Sequence, residues 1–313
     1  MTKDREFYKQ FFALYWVLVL HNIIILGVNL ADNIMIGSYS ETALAGVAGV
    51  NQIQFIFNQI ILGSGNALVI LGSQYSLRSA LIDAVLCRID AEEFNRRIMS
   101  LKENYPEPAY YSTLNMISSH DVERIVTLMS GAPTRHEVDR HYQASFTLSD
   151  ESRELAIKRT QLIYGMVMTM PGVPCIFYGD ELGVQGYGDP FCRSCFPWDN
   201  MDGVDPNGKM RNYIKQLIAL RKSSTAFSTG EMECAYCIGN TYCYVRSYND
   251  EKYLVVANFD GSRHDIRLDV ARFGITELNA VMYEGDIRTH HKSDAGMFFV
   301  DALPVSVAVY KCS

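Results

Sequence analysis

His120 and Asp121 stand side by side in the stretch NMISSHDVER, residues 115–124, at the end of an apolar run. An imidazole beside a carboxylate can bind hydroxyls, pass a proton or favour a cationic transition state. A second apolar run, in PGVPCIFYGDE (171–181), ends on Asp180 and Glu181. A third stretch, GYGDPFCRSCFPWD (186–199), mixes Asp189, Arg193 and Trp198 with further aromatics, a composition suited to the apolar face of a sugar ring. Cleaving a glycosidic bond takes two carboxylates flanking it, one as acid and one as nucleophile or base. Spacing alone leaves plainer roles open. His-Asp pairs are common in polar loops, Asp180 and Glu181 could cap a helix or hold an Arg, and the aromatic loop could be a buried plug.

The elements that must position these residues are readable from periodicity. Leu81, Ala84, Val85 and Ile89 share one helical face, and Phe94, Ile98 and Leu101 continue it after DAEE. Asp90 with Glu93 three residues on makes a capping box, and Pro106 and Pro108 stop the helix. YYSTLNMI (110–117) is expected as a strand. SDESRELAIKRTQLIYGMVMTM predicts a long helix capped at Ser149 or Asp150, followed by a short strand at 175–178 and a third amphipathic helix in GKMRNYIKQLIALRKSS. Helix, strand, helix, strand, helix fits parallel β/α units, whose functional groups gather at the C-terminal ends of the strands. Asp121, Asp180 and Glu181 are then expected at one rim. From Ala226 the texture changes to seven short strand-like runs punctuated by Gly239-Asn240, Asn249-Asp250 and Asp260-Gly261, which predicts an antiparallel β-sandwich of accessory character.

The 313-residue chain carries a formal charge of -7, which gives no electrostatic support for a nucleic-acid partner. Its polarity is uneven. Residues 11–31 and 42–77 contain no charged side chain, and a membrane span needs about 20 apolar residues. Two transmembrane helices are expected there, with the composition shifting near residue 76. Lys3, Arg5 and Lys9 precede the first run and DNIMIGSYSE between the runs has no Lys or Arg, so the N-terminus and the part after Arg78 are expected on the cytoplasmic side of a membrane. The alternative is a wholly cytoplasmic protein with two buried helices. Cys192/Cys195 and Cys234/Cys237 are C-x-x-C pairs that could bind zinc if brought together, but the second pair sits in a strand-like run. Free thiols in a reducing compartment are the reading, with no metal and no cofactor expected. P-loop, G-x-G-x-x-G, H-E-x-x-H and G-x-S-x-G signatures do not occur.

LRSALIDAVL, NMISSHDVERI, PGVPCIFYGDELG and DPFCRSCFPWD, in that order, make residues 77–313 resemble the C-terminal part of the alpha-amylase family, glycoside hydrolase family 13, near its neopullulanase and cyclomaltodextrinase members. The resemblance implies the last helix–strand units of a (β/α)8 TIM barrel (77–225) and a β-sandwich domain (226–313). It also implies α-1,4 and α-1,6 glucans or maltooligosaccharides as ligands. By the same resemblance His120 bonds sugar hydroxyls and Asp121 is the third catalytic carboxylate, a transition-state stabiliser. By the same resemblance Glu181, Asp189 and Arg193, in the loop after the last barrel strand, are structural or line the substrate remotely and do no chemistry. VNLADNIMIGSYSETALAGVAGVNQIQFIFNQIILGSGNALVILGSQY (28–75) resembles the start of a MATE-family efflux transporter, so 1–76 is expected as a two-helix membrane segment.

The departure from the glycosidase pattern is large. The family nucleophile lies in a G-x-R-x-D motif at the end of the fourth barrel strand; the one such string here, Gly261–Asp265, falls in the expected sandwich instead, and the general acid that follows the nucleophile is also absent. The expected chain is therefore a composite: two membrane-type helices, a partial barrel and a sandwich. Its catalytic machinery is incomplete, with only Asp121 of the three carboxylates. No protein partner is indicated.

Overall fold

A computed structural model describes residues 67–198, 209–282, 291–293 and 297–313. The chain divides into two compact units, Met1–Ala67 and Leu68–Ser313, and the description concerns the second. The uncharged run at 11–31 and most of that at 42–77 lie outside the described residues. Among the described residues no helix is long and apolar enough to cross a membrane.

Helix α1 (Ala67–Val85) runs unbroken through residue 76, and α2 (Ala91–Asn104) follows a sharp turn. Asp90 caps α2 by accepting the Glu93 amide at 2.8 Å, one half of the expected capping box, while the Glu93 carboxylate accepts from Arg96 and Arg97. The strand expected over 110–117 is mostly not one. Glu107–Ser112 forms a short helix, α3, and only Leu114–Met116 pairs as β1. The reason is Pro108, which sits in the first turn of α3, where a missing N–H and a preset φ favour helix initiation. Two short helices, α4 (Ile125–Met129) and α5 (Arg140–Ser145), precede the long α6 (Asp150–Thr169). Ser149, not Asp150, is the N-cap of α6, accepting from the Ser152 amide.

Strand β2 is Val173–Cys175, two residues earlier than expected, and it pairs parallel with β1 from Leu114↔Val173 to Met116↔Cys175. Its position is set from both ends. Gly172, at φ +99°, approaches the Thr113 carbonyl and Asn115 side chain too closely for a Cβ, and the Val173 amide donates to Thr113 O at 2.7 Å. Ile176–Tyr178 is then free to turn into the loop that follows.

Helix α7 (Lys209–Ser223) leads into the antiparallel part. All seven expected strand runs are strands: β3 (Glu231–Ile238), β4 (Thr241–Tyr248), β5 (Glu251–Asn258), β6 (His264–Asp269), β7 (Leu278–Met282), β9 (Met297–Ala302) and β10 (Ser306–Cys312). A short β8 (His291–Ser293) was not expected. The sheets run β3-β4-β5-β10-β7 and β6-β9-β8.

The larger sheet is buried on both faces. Cys243, Val245, Leu254 and Val256 face Ile266, Leu268, Phe298 and Val300 of the smaller sheet. The alternate residues Tyr242, Tyr244, Tyr253, Val255 and Val307 join one continuous core with Leu81, Phe94, Ile163, Val167 and Leu217 of the helices. One face of the sandwich is therefore the floor of the helical layer. Gly165 permits the close approach, since a Cβ there would lie 2.2 Å from Val307 Cγ1. Arg246, fully buried, stitches the same seam by donating to the carbonyls of Thr169, Gly230 and Glu231. Burial lowers its guanidinium to about 10.

Candidate functional site

The chain leaves β1 at Met116 and turns through Ile117, Ser118 and Ser119 into His120 and Asp121. Ser118 Oγ accepts the Ile125 amide at 2.9 Å, which starts α4, and Ser119 Oγ accepts the Asp121 amide at 3.2 Å. These two short side chains hold the turn, so the His-Asp pair projects from a fixed backbone. Both side chains are well exposed, 62% and 59%, with His120 Nε2 3.3 Å from Asp121 Oδ2.

The loop after β2 comes back over this turn. Arg193 Nη2 lies 3.6 Å from Asp121 Oδ1, its Nε lies 2.7 Å from Asp189 Oδ1, and the same Nε donates to the His120 carbonyl at 3.1 Å. Cys192 Sγ donates to that carbonyl too, at 3.1 Å. The four residues singled out in the sequence, His120, Asp121, Asp189 and Arg193, are thus brought together. Arg135 Nη1 donates to the Asp121 carbonyl at 3.1 Å, and Arg140 Nη1 to the Asp189 carbonyl at 3.0 Å, so both carboxylate-bearing segments are tethered from α5 and the loop before it. Phe196 and Trp198 pack at 4.5 Å in the same loop, and Trp198 is 73% exposed.

Asp180 is not at the exposed rim. It is fully buried in a 3-10 turn (Asp180–Leu182), with Tyr164 donating to its Oδ2 at 2.7 Å and Arg124 Nη1 3.3 Å from its Oδ1. Removal from water pushes its carboxyl up to about 6 against the opposing pull of these partners. Of the two roles left open for it, holding an arginine is the one it fills. Glu181 beside it is half-buried, and its Oε2 has no hydrogen-bond partner.

Arg124 is the residue that sequence reasoning missed, although it ends NMISSHDVER. It is fully buried, donates to Cys192 O at 2.8 Å and to Tyr178 O, and lies over the rings of Phe177 (4.2 Å) and Tyr178 (4.5 Å). It therefore ties the turn after β1 to the loop after β2. The available signal was an arginine three residues after an Asp in a loop with Asp180 expected alongside. Its burial could not be seen without the fold.

The arrangement suits recognition of polyhydroxyl compounds: an exposed carboxylate and imidazole, a guanidinium between two carboxylates, and aromatic surface nearby. Among the described residues of this rim it does not present two carboxylates free of arginine. Asp189 is engaged by Arg193, Glu123 by Arg135 at 3.6 Å, and Asp180 is buried. Among the described residues no cluster of three or more His, Cys, Asp or Glu could hold a metal ion, so the two C-x-x-C pairs do not converge.

Two stretches of the chain are similar to known proteins of different kinds. An amylopullulanase of Thermoanaerobacter thermohydrosulfuricus is 31% identical over 221 residues, which is 64% of this chain and 14% of that one. A cyclomaltodextrinase of Geobacillus thermopakistaniensis is 27% identical over 198 residues, 63% of this chain and 29% of that one. Residues 77–313 resemble the alpha-amylase family, glycoside hydrolase family 13. The debranching enzyme of Nostoc punctiforme shares the fold of the alpha-amylase-like part, with a TM-score of 0.60 at 23% identity over 77% of this chain and 46% of that one. It has also been solved after an acarbose soak. These neighbours are TIM-barrel enzymes with a C-terminal antiparallel sheet domain. The chain spans less than half the length of each of these three relatives. The MatE family model matches residues 18–76, ahead of the alpha-amylase-like part.

Proposed function

We propose that the alpha-amylase-like part recognises α-1,4- or α-1,6-linked glucose oligomers at the His120, Asp121, Asp189 and Arg193 rim, and that this chain alone does not hydrolyse them. The observation that carries the reading is the state of the carboxylates. Asp121 and Asp189 are both exposed at the rim but share Arg193, Glu123 is paired with Arg135, and Asp180 is buried against Arg124. Asp121 alone can orient a hydroxyl and favour positive charge, but the retaining mechanism also needs a nucleophile and an acid. The one G-x-R-x-D string, Gly261–Asp265, runs into β6 of the antiparallel part, where Arg263 pairs with Asp301, and residues 18–76, ahead of the alpha-amylase-like part, match MatE.

The test uses the purified full-length chain with maltooligosaccharides and pullulan. Reducing-sugar release is expected to stay at the level of the Asp121→Asn control. Maltoheptaose binding, followed by calorimetry, is expected to weaken about tenfold in Asp121→Asn, the effect of losing one hydrogen bond to a charged group. Turnover by the unmodified chain that disappears in Asp121→Asn would overturn the inactive reading. A flat titration would overturn glucan recognition.

The MatE match favours a second element of function. We propose that residues 11–75 hold the chain in a membrane with the alpha-amylase-like part on the cytoplasmic face, as the uncharged runs and the basic residues Lys3, Arg5 and Lys9 imply. Alkaline carbonate treatment of membranes is expected to leave the chain in the pellet. Release into the supernatant would exclude spanning helices.

A further inference from the structure

The C-x-x-C pair of β3 has no part in the rim described above. Residues three apart on a regular strand point to opposite faces. β3 is not regular. Cys234 pairs with Tyr244, Tyr236 with Cys243 and Cys237 with Tyr242, which leaves Ala235 over as a bulge. Tyr242 and Tyr244 lie on one face of β4, so the bulge turns Cys234 and Cys237 onto that same face. Their separation along the sheet is the two-residue advance of β4, roughly 6.6–6.8 Å at the usual rise per residue. That is the upper end of the Cα separations, about 4.4–6.8 Å, that a disulfide spans. Cys237 is close enough to add to the upward push on the Cys234 thiol. Both are half-buried on the edge strand of the larger sheet, whereas Cys243 across the ladder is fully buried.

We propose that Cys234 and Cys237 are a dithiol site that closes to a reversible disulfide by exchange with small-molecule disulfides of the glutathione class. The Cys237 sulfur, as thiolate, attacks one sulfur of the external disulfide. The external S–S bond breaks, and the departing thiolate takes up the proton that Cys237 gave up. Cys234 then loses its proton, attacks the Cys237 sulfur of the mixed disulfide and expels the second external thiolate, which is protonated in turn. Two protein thiols are oxidised and one external disulfide is reduced to two thiols. Burial, and then the Cys237 neighbour, push the Cys234 thiol up to about 12, which keeps it protonated until Cys237 has reacted. A separation at the limit of disulfide geometry makes the bond readily reduced. Once closed, it pins the bulge and the register of β3 against β4.

The experiment treats the full-length chain with oxidised glutathione, quenches it with acid and maps peptides without reduction. The expected product is an intrachain link between Cys234 and Cys237, absent from Cys234→Ser and Cys237→Ser. Phenylarsine oxide, which condenses with two adjacent thiols and releases water, probes the same proximity without oxidation. It is expected to protect both cysteines from alkylation together, and neither cysteine in the two single variants. Glutathione held on one cysteine with no intrachain link would overturn the proposal, as would a link to Cys243 or arsenical protection without disulfide closure. None of these outcomes depends on the sugar rim.

Discussion

Arg124→Met is expected to lower the unfolding free energy by ~3–5 kcal/mol at pH 8, because it leaves the fully buried Asp180 carboxylate without its cation. The variant also strips donors from the carbonyls of Tyr178 and Cys192, so the loop after β2 loses its tie to the turn that carries Asp121. The loss has a defined pH dependence. The folded-state carboxyl of Asp180 stands at about 6, above its ordinary 3.8. A carboxyl raised on folding holds its proton more tightly in the folded state. Its contribution to stability is therefore greatest below the unfolded value and declines as pH rises through about 6. Removing Arg124 takes away one of the causes that hold Asp180 down, so the carboxyl shifts further up and protonates more readily in the variant. The deficit of Arg124→Met is expected to be smaller at pH 5 than at pH 8, and Arg124→Met with Asp180→Asn is expected to recover part of it. Urea unfolding followed by circular dichroism at the two pH values measures all three. An Arg124→Met deficit that does not change with pH would mean that lost carbonyl bonds, not the stranded carboxylate, carry the effect.

Phe94→Ala is expected to cost ~3–5 kcal/mol, the range for deleting a fully buried aromatic side chain. Phe94 of α2 is wholly buried and meets Tyr242 of β4 edge-on at 5.0 Å and Phe259, the residue after β5, at 5.6 Å. The cavity would open between helical layer and sheet. Because those layers share one core, the loss is expected to shift a single cooperative transition in urea for helix and sheet signals alike. If the sheet signal kept its own midpoint while the helical signal moved, the C-terminal strands would be an independent module, contrary to the doubly buried sheet.

Local rules carried far along this chain. The Asp90 cap, the Ser149 cap and seven of the antiparallel strands depend on neighbouring residues, and each is where periodicity and capping place it. Where local rules compete, the outcome went the other way. In 105–117 aromatic and β-branched composition favoured a strand, but Pro108 in a first helical turn preset the backbone, leaving β1 as three residues. Strand order placed the loops after β1 and β2 at one rim, because parallel β/α units deliver their loops there; of the carboxylates expected on it from spacing, Asp121 is exposed and Asp180 is buried, while Asp189 and Arg193 arrive from further along the second loop.

Sequence by itself determined the long helices, the seven antiparallel strands and the composite character of the chain, since these rest on periodicity and on motifs within a few residues. Only the tertiary structure decided which charges face water. Asp121 and Asp180 are both aspartates after short parallel strands, yet one is exposed beside an imidazole and the other is sealed beside Arg124. It also decided that the larger sheet is buried twice and that Ala235 is the bulged residue that aligns two thiols. Burial and strand register are set by residues tens of positions away, and the distance along the chain to those partners leaves no local trace to read.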